Sequence, residues 1–360
     1  MRRILLFSLL FFIFIPSIKA SSQTASEYIL MDMESGRVLE GKDYNNPKLI
    51  ASITKIMTCL LAIESNRLDE TVVVDESILK AYGSGIYIQV GEELTLRDLL
   101  YGLMLRSGND AAVMVASFVS GSEEEFVKKM NAKAKEIGMK NTTFSNSSGL
   151  DEEDNGNLST AYDMAILTKY AMQYEEYRNI VKTKKYTLKT NYKTYIWHNK
   201  NKLLNYDYIT GGKTGFTEKA GRTLVSTADI NNLKLIAVTL RDSDDWNTHT
   251  SLYNEAKDKY SLYKVLDKKD FKVKDDYYKG KLYIEKDFYM ALTEDETKKV
   301  NTKIKLEKKK DYKTKDKVGK CEIYIDNTYI NSVDIYIQKE KIIKEKKNVF
   351  QKIWELIKFW

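Results

Sequence analysis

The amino-acid sequence predicts an α+β fold in which a helical region packs against an antiparallel sheet. Three observations favour this class: a hairpin pattern comes first, helical patterns dominate as far as Met172, and strand patterns return from Tyr186 before a closing helix. With 43% apolar residues in a chain of 360, the protein has enough material for one large and one small domain.

The N-terminal half combines one hairpin with several helices. Residues 28–39 predict a β-hairpin with its turn at Ser35-Gly36, and an apolar helix begins at the segment that carries Ser52. Thr95 has the position and neighbours of a capping-box residue at the start of the next helix. The later helices of this half are expected at 96–105, at 110–119, at 123–137, and from a cap at Ser159 or Thr160 to Met172.

Strand patterns dominate after Tyr186. Five strands are expected at 186–188, 195–197, 209–216, 222–227 and 233–240, followed by a closing helix at 246–266. Beyond Leu266, short alternating runs replace the helical patterns, and a hairpin is expected to turn at Asp326-Asn327. We therefore predict a main domain at 21–266 and a small all-β, sandwich-like domain at 267–340.

The two ends of the chain predict a location outside the cytoplasm. Residues 1–20 have a basic start, an apolar stretch and a small residue at the end, which is the order of a secretory signal peptide. The alternative is a retained membrane anchor, which would also place the rest of the protein outside the cytoplasm. Residues 341–360 predict an amphipathic C-terminal helix on a membrane surface, with packing on its own domain as the alternative. We expect an exported protein at the outer face of the cytoplasmic membrane.

The charge pattern predicts no nucleic-acid partner. The formal net charge is +7, but acidic residues alternate with lysines almost throughout the chain. Nucleic-acid binders concentrate their basic residues on one face instead.

Cysteine and histidine usage predicts no metal and no other cofactor. The chain has two cysteines and two histidines, with no His-Glu-x-x-His run and no paired cysteines. Cys59 and Cys321 lie in apolar patterns and are expected to be small buried hydrophobes, with a disulfide between them as the alternative.

The first candidate for chemistry is the pair Ser52 and Lys55. Residues three apart on a helix share one face, so the lysine can take the proton of the serine hydroxyl and make it a nucleophile. The spacing alone is weak evidence, because Ser261 and Lys264 repeat it in the expected closing helix. Ser52 differs because it lies at a helix start, where free backbone N–H groups and the helix dipole favour a developing negative charge.

Two further short motifs contain candidate residues. Ser107 and Asn109 supply a hydroxyl and an amide at a tight junction between two helices. Residues 213–215, Lys-Thr-Gly, lie on a glycine-flanked strand, and glycine there lets a ligand backbone approach closely. Each motif alone fits a capped turn or an ordinary strand, whereas the three motifs in this order are strong evidence.

Together the motifs resemble those of the D-alanyl-D-alanine carboxypeptidases, the low-molecular-mass penicillin-binding proteins. The similarity covers residues 25–265, with a weaker likeness in the second domain and the tail. It is carried by residues 51–58, 91–112, 146–150, 159–167 and 212–221. The resemblance implies a β-lactamase/transpeptidase-like fold and a cell-wall enzyme that removes the terminal D-alanine from peptidoglycan stem pentapeptides. It also implies β-lactam antibiotics as covalent inhibitors.

The resemblance implies a role for each site residue. The expected catalytic set is Ser52 as nucleophile, Lys55 as its base, Ser107 as proton relay, Asn109 as holder of the base and the substrate amide, and Lys213 as the cation beside the relay. The expected substrate-binding residues are Thr214, Gly215, Phe216, Lys200 and Arg241. The backbone N–H groups of Ser52 and Phe216 are expected to form the oxyanion hole, and Lys213 is expected to lower the pKa of Lys55.

Three alternatives are less well supported. A class A β-lactamase would carry a Glu-x-x-Leu-Asn stretch, which is absent, and usually an aspartate where this chain has Gly108. A Ser-His-Asp hydrolase would use His198 or His249, but the chain has no Gly-x-Ser-x-Gly elbow. A non-catalytic wall-binding protein would be expected to have lost one residue of the catalytic set.

Overall fold

The computed structural model describes residues 24–151 and 156–339. The strands are β1 (Glu27–Asp32), β2 (Val38–Lys42), β3 (Lys48–Leu49), β4 (Thr71–Val73), β5 (Glu93–Thr95), β6 (Leu158–Ser159), β7 (Lys185–Lys189), β8 (Thr194–His198), β9 (Ile209–Thr217), β10 (Gly221–Ile230), β11 (Leu233–Leu240), β12 (Ser261–Leu266), β13 (Gly280–Tyr283), β14 (Phe288–Leu292), β15 (Val300–Leu306), β16 (Lys317–Ile325) and β17 (Thr328–Lys339). The helices are α1 (Lys55–Glu64), α2 (Leu96–Tyr101), α3 (Asn109–Ser120), α4 (Glu123–Glu136), α5 (Ala161–Ala171), α6 (Glu175–Lys182), α7 (Asp245–Lys259) and α8 (Glu294–Thr297). The segments predicted to be a signal peptide and a C-terminal amphipathic helix lie outside the described residues.

A five-stranded antiparallel sheet in the order β2-β1-β11-β10-β9 forms the centre of the main domain. Its side chains alternate between the two faces, as the two-residue period of a strand requires. On β11, Ile236 and Val238 belong to the core shared with helices α1 to α6, whereas Leu235 and Ala237 pack with α7. The sheet is therefore covered on both faces, and β9 is an edge strand.

Helix α1 lies inside the helical region and is buried from Lys55 to Ile63. A helix that is apolar almost all round belongs in a protein interior. Its first residue, a lysine, is therefore carried into the interior by the apolar residues that follow it. Among the described residues, no helix has both the length and the apolar character needed to cross a membrane.

The α+β class is confirmed, but the predicted end of the closing helix is wrong. Helix α7 ends at Lys259, Tyr260 is extended, and the next six residues form β12, where Ser261 pairs with Leu292 of β14. The strand partner comes from a distant segment, so helical periodicity alone does not reveal it. Side chains alternate along a strand, so Ser261 and Lys264 face opposite sides and lack the one-turn geometry of a helical pair.

Helix α6 is absent from the sequence-based prediction. Only Tyr177, Ile180 and Val181 of this eight-residue helix are buried, and the rest is polar. So short an apolar stripe in a polar segment gives a weak periodic signal.

The second domain is built on a four-stranded sheet in the order β13-β17-β16-β15, with β12 and β14 as a separate pair. The predicted turn at Asp326-Asn327 is confirmed, and Asp326 has the left-handed φ of 53° that such a turn uses. Cys321 is buried in this domain and Cys59 in α1, and both are free thiols, as expected for small hydrophobes. The domain boundary after Leu266 stays a prediction, although β12 pairs with the second domain.

The second domain docks on the turn between β1 and β2. The Asp32 carboxylate accepts a hydrogen bond of 3.1 Å from the backbone N–H of Ala291. Arg37 donates to the Ala291 carbonyl at 2.8 Å and forms an ion pair with Glu296. Asn331 donates to the backbone carbonyl of Ser35. These contacts attach the second domain to one end of the central sheet.

His249 of α7 is buried against the opposite face of that sheet from α1. Its Nδ1 lies 2.6 Å from Ser226 Oγ, and its Nε2 lies 3.2 Å from Thr239 Oγ1. Burial lowers the pKa of His249 from 6.5 to about 3. Between these two pKa values the unfolded chain binds a proton that the folded chain does not bind, so the stability contribution of this site falls as the pH drops below 6.5.

We predict that His249→Gln makes the free energy of unfolding less dependent on pH between about 6.5 and about 4. The substitution removes the contribution of His249 to the pH dependence of the free energy of unfolding, whose slope approaches about 1.4 kcal/mol per pH unit. Urea unfolding of the native protein and the variant over this range measures the slope. His198→Gln is the matched control, because His198 is exposed on β8. Identical slopes for the native protein and both variants would contradict the prediction.

Candidate active site

Ser52 and Lys55 meet at the start of α1. Residues Ala51–Thr54 form a 3-10 turn that runs directly into the helix, so Ser52 lies half-buried in the turn and Lys55 is the first α-helical residue. The Lys55 side chain is fully buried, and its Nζ lies 3.1 Å from Ser52 Oγ. The spacing of three residues thus brings the lysine amine and the serine hydroxyl within hydrogen-bond distance, as predicted.

The Ser107–Asn109 loop lies against the same lysine. Helix α2 ends in a π-helical turn, Gly102–Arg106, and Ser107 follows with a left-handed φ of 64° that reverses the chain into α3. Asn109 Oδ1 accepts a hydrogen bond of 2.7 Å from Lys55 Nζ, while its Nδ2 donates to the Tyr82 carbonyl at 2.6 Å. The second contact fixes the orientation of the amide, so that its oxygen faces the lysine.

Lys213 projects from the edge strand β9 toward Ser107. It is 1% exposed, and its Nζ lies 3.0 Å from Ser107 Oγ and 2.6 Å from the Thr214 carbonyl. Gly215 lies at the closest approach of β9 to the 3-10 turn, because a Cβ at this position would lie 2.9 Å from the Ser52 nitrogen. Glycine therefore lets the strand run beside Ser52. The close approach of a ligand backbone, which the sequence predicted at this glycine, stays a prediction.

The carbonyl of Ser148 is a contact of Lys55 that sequence reasoning missed. It accepts a hydrogen bond of 2.5 Å from Lys55 Nζ. Gly149 has a φ of 83°, and a Cβ there would lie 2.0 Å from the Ala51 carbonyl oxygen, so only glycine fits beside the 3-10 turn. The turn-forming stretch 146–150 was recognised in the sequence, but side-chain identities do not show which backbone carbonyl faces the site.

Burial and, second, the positive charges of the site lower the pKa values of Lys55 and Lys213. Burial and, second, the charge of Lys200 lower the pKa of Lys55 to about 7, while Asp110 opposes the shift. Burial, the charge of Lys55 and that of Lys200 lower the pKa of Lys213 well below its usual value. The charge of Lys200 thus acts on both buried lysines, in addition to the mutual repulsion of Lys55 and Lys213.

The other predicted binding residues are more exposed than the two buried lysines. Thr214 and Gly215 are half-buried on β9, and Phe216 is 65% exposed. Lys200 is exposed and its Nζ is 3.5 Å from Ser84 Oγ. Arg241 is exposed just after β11, and in the part of the chain that the structure describes no hydrogen bond or ion pair joins it to the catalytic set.

The histidines do not form an accessible Ser-His-Asp site. His249 contacts Ser226, but both side chains are 0% exposed, and its other nitrogen faces Thr239. His198 is exposed on β8, and among the described residues no hydrogen bond joins its ring to a serine. A substrate therefore has access to Ser52 and none to Ser226.

Sequence comparison identifies relatives over both domains. The family described as D-alanyl-D-alanine carboxypeptidase matches residues 16–244, and the one described as penicillin-binding protein 5, C-terminal domain, matches residues 260–341. D-alanyl-D-alanine carboxypeptidase DacF of Bacillus subtilis (strain 168) is 42% identical over 230 residues, which cover 61% of this chain and 59% of the relative. The chain spans about three fifths of the length of the first curated relatives that it matches.

Solved structures of similar proteins have the same architecture. Penicillin binding protein 5 from Haemophilus influenzae aligns with a TM-score of 0.74 at 26% identity, covering 88% of this chain and 97% of that one. The D-alanyl-D-alanine carboxypeptidase from Mycobacterium tuberculosis H37Rv aligns with a TM-score of 0.62 at 30% identity, covering 64% and 90%. Because the first family matches well over half of the 360 residues, the chain belongs to the D-alanyl-D-alanine carboxypeptidase family.

Proposed function

We propose that the protein is a serine-type D-alanyl-D-alanine carboxypeptidase that removes the terminal D-alanine from peptidoglycan stem pentapeptides. The observation that carries this proposal is the 3.1 Å contact between Lys55 Nζ and Ser52 Oγ at a fully buried lysine. With a pKa lowered to about 7, a substantial fraction of Lys55 is neutral at physiological pH. A neutral amine in this position is a general base for the serine hydroxyl.

In the proposed acylation step, Ser52 Oγ attacks the carbonyl carbon between the two D-alanines and its proton moves to Lys55 Nζ. Negative charge then develops on the carbonyl oxygen, and the backbone N–H groups of Ser52 and Phe216 are the proposed donors to it. The close approach of Gly215 to the Ser52 nitrogen supports this pairing, because it brings β9 and the 3-10 turn to the same spot.

Ser107 is the proposed proton relay to the nitrogen of the leaving D-alanine. Its hydroxyl is held 3.0 Å from Lys213 Nζ, where the Ser107–Asn109 loop faces β9. Lys213 and Thr214 are proposed to bind the terminal carboxylate of the substrate, with the more exposed Lys200 and Arg241 as outer partners. An anion bound at Lys213 favours its charged form and so reverses the effect of burial on its pKa.

In the proposed deacylation step, water releases the shortened peptide from Ser52. β-Lactam antibiotics are proposed to acylate the same serine, and the acyl-enzyme that they form is proposed to hydrolyse slowly. The proposed place of action is the outer face of the cytoplasmic membrane and the cell wall, with residues 1–20 as export signal and residues 341–360 as membrane-associating helix. Residues 21–266 are the proposed catalytic domain, and 267–340 the second domain.

We predict that the protein converts a stem pentapeptide to the tetrapeptide and that benzylpenicillin blocks this release by forming an adduct on Ser52. Mass spectrometry of peptide and protein in the same incubation measures product and adduct together. Ser52→Ala loses both, because the nucleophile is gone.

Ser261→Ala is the matched control and keeps full activity, because this serine has the same spacing from a lysine but lies on a strand. D-Alanine release by Ser52→Ala would refute the assignment of the nucleophile. Failure of the native protein to release D-alanine would favour a non-catalytic wall-binding role. Rapid turnover of nitrocefin would favour a β-lactamase.

We predict that the rate constant for acylation by penicillin rises with pH through about 7, because Lys55 acts only when it is neutral. Lys55→Ala should lower this rate constant by about 100-fold or more. Lys200→Gln should move the profile to higher pH, because it removes a positive charge that lowers the pKa of Lys55.

Stopped-flow acylation across the pH range gives these profiles. Lys202→Gln is the control, since Lys202 is a neighbouring exposed lysine and is not among the charges that lower the pKa of Lys55 or Lys213. Labelling of Lys55→Ala at full speed would remove Lys55 as the base. Coincident profiles for Lys200→Gln and the native protein would remove Lys200 as the source of the shift.

A further inference from the structure

The second domain meets the main domain near the start of its longest strand, β17. Asn331, close to the first residue of this strand, donates to the backbone carbonyl of Ser35. The strand then continues to Lys339, and a strand segment of this length spans about 26 Å. The far end of β17 therefore lies well away from the contacts with the main domain.

Two lysine-rich segments, 272–281 and 307–317, lie at this far end, and we call them the distal face. The first segment leads into β13, which pairs with the last residues of β17. In the second segment, the backbone N–H of Lys315 donates to the Ile337 carbonyl of β17 at 2.7 Å. Both segments are thus fixed to the end of β17 that points away from the main domain.

Tyrosine side chains join the two segments of the distal face. The Tyr278 hydroxyl accepts a hydrogen bond of 3.1 Å from the backbone N–H of Lys309. The Tyr312 hydroxyl accepts one of 2.8 Å from the backbone N–H of Lys279. The rings of Tyr278 and Tyr312 pack edge to face, with their centres 4.9 Å apart. Because rings and backbone groups make these contacts, the lysine amines are not needed to hold the segments together.

The distal face is strongly basic. It contains ten lysines and five acidic residues, a formal net charge of +5, compared with +7 for all 360 residues. Lys309 and Lys317 form ion pairs with Asp316 and Asp334. Among the described residues, no ion pair engages the other eight lysines of the face, and all eight are exposed. A concentration of free positive charge attracts an anionic partner to this end of the molecule.

We propose that the distal face binds a bilayer that contains anionic phospholipids, so that the second domain itself contacts the membrane. Two further observations favour a bilayer over a soluble polyanion. The side chain of Tyr277 is 38% exposed among the lysines, and tyrosine is enriched where a bilayer meets water. The chain also leaves β17 at this end for residues 341–360, the proposed membrane-associating helix. A basic patch and an amphipathic helix together bind a membrane more firmly than either alone. The inference rests on the proposed place of action and not on the catalytic chemistry.

The test measures the partition of the whole chain onto lipid vesicles by sedimentation. Vesicles of phosphatidylcholine with phosphatidylglycerol are compared with vesicles of phosphatidylcholine alone. The distal variant combines Lys274→Gln, Lys308→Gln, Lys310→Gln and Lys313→Gln. We expect its partition coefficient to fall at least about tenfold on the anionic vesicles and to stay unchanged on the neutral ones, because each lysine near an anionic surface contributes to binding. Added salt should weaken binding of the native protein more than that of the variant.

The matched control variant changes four exposed lysines of the main domain in the same way: Lys129→Gln, Lys135→Gln, Lys140→Gln and Lys189→Gln. It loses the same net charge and should partition like the native protein. Penicillin labelling at the native rate shows that both variants are folded.

Equal partition of the distal and control variants onto the anionic vesicles would overturn the proposal, since net charge alone would then account for binding. If the distal variant loses affinity for inorganic polyphosphate but not for the vesicles, the face binds a soluble polyanion and the membrane proposal is wrong. A native protein that is not labelled by penicillin would contradict the proposed carboxypeptidase function and leave the partition result standing.

Discussion

The enclosure of Lys55 is the constraint on which the rest of the site depends. Its Nζ lies within hydrogen-bond distance of three oxygens: Ser52 Oγ, Asn109 Oδ1 and the carbonyl oxygen of Ser148. An ammonium group has three hydrogens for them. A neutral amine has two, so it satisfies Asn109 and Ser148 and turns its lone pair to the Ser52 hydroxyl. These three oxygens therefore suit both the charged and the neutral form of Lys55. Between the two forms, only the hydrogen bond with Ser52 reverses its direction.

The fold builds this enclosure at one end of the central sheet. Gly215 of β9 pairs with Thr223, Thr223 with Leu240, and Leu240 with Glu27, at the first residue of β1. The second domain docks at the last residue of that strand, Asp32. The Ser52 site and the contacts with the second domain therefore lie at opposite ends of β1. The proposed mechanism uses only residues of the main domain, and the second domain can hold that domain in place without covering the cleft.

Sequence reasoning predicted the side chains of the site better than its backbone. Ser52, Lys55, Ser107, Asn109 and Lys213 follow from residue types in local motifs. The structure joins Lys55 to Ser52 and Asn109, and Lys213 to Ser107, and the two buried lysines interact electrostatically. The Ser148 carbonyl and the strand at Ser261 depend on chain segments that meet only in the folded protein. The effect of Lys200 on Lys55 was missed for the same reason, since a charge acts through space and leaves no local pattern.

The two buried lysines link substrate binding to activation of the base. The interaction that lowers the pKa of Lys213 in the presence of charged Lys55 is reciprocal, so a charged Lys213 also favours the neutral form of Lys55. Without an anion, burial disfavours charge on both. In the proposed mechanism the terminal carboxylate of the substrate lies against Lys213 and stabilises its charge. That charge then favours the neutral form of Lys55, which can accept the proton of the Ser52 hydroxyl. A peptide without the carboxylate would lack this stabilisation of a charged Lys213 and would weaken the bias, so the pair of lysines makes recognition of the free C-terminus part of the proposed chemistry.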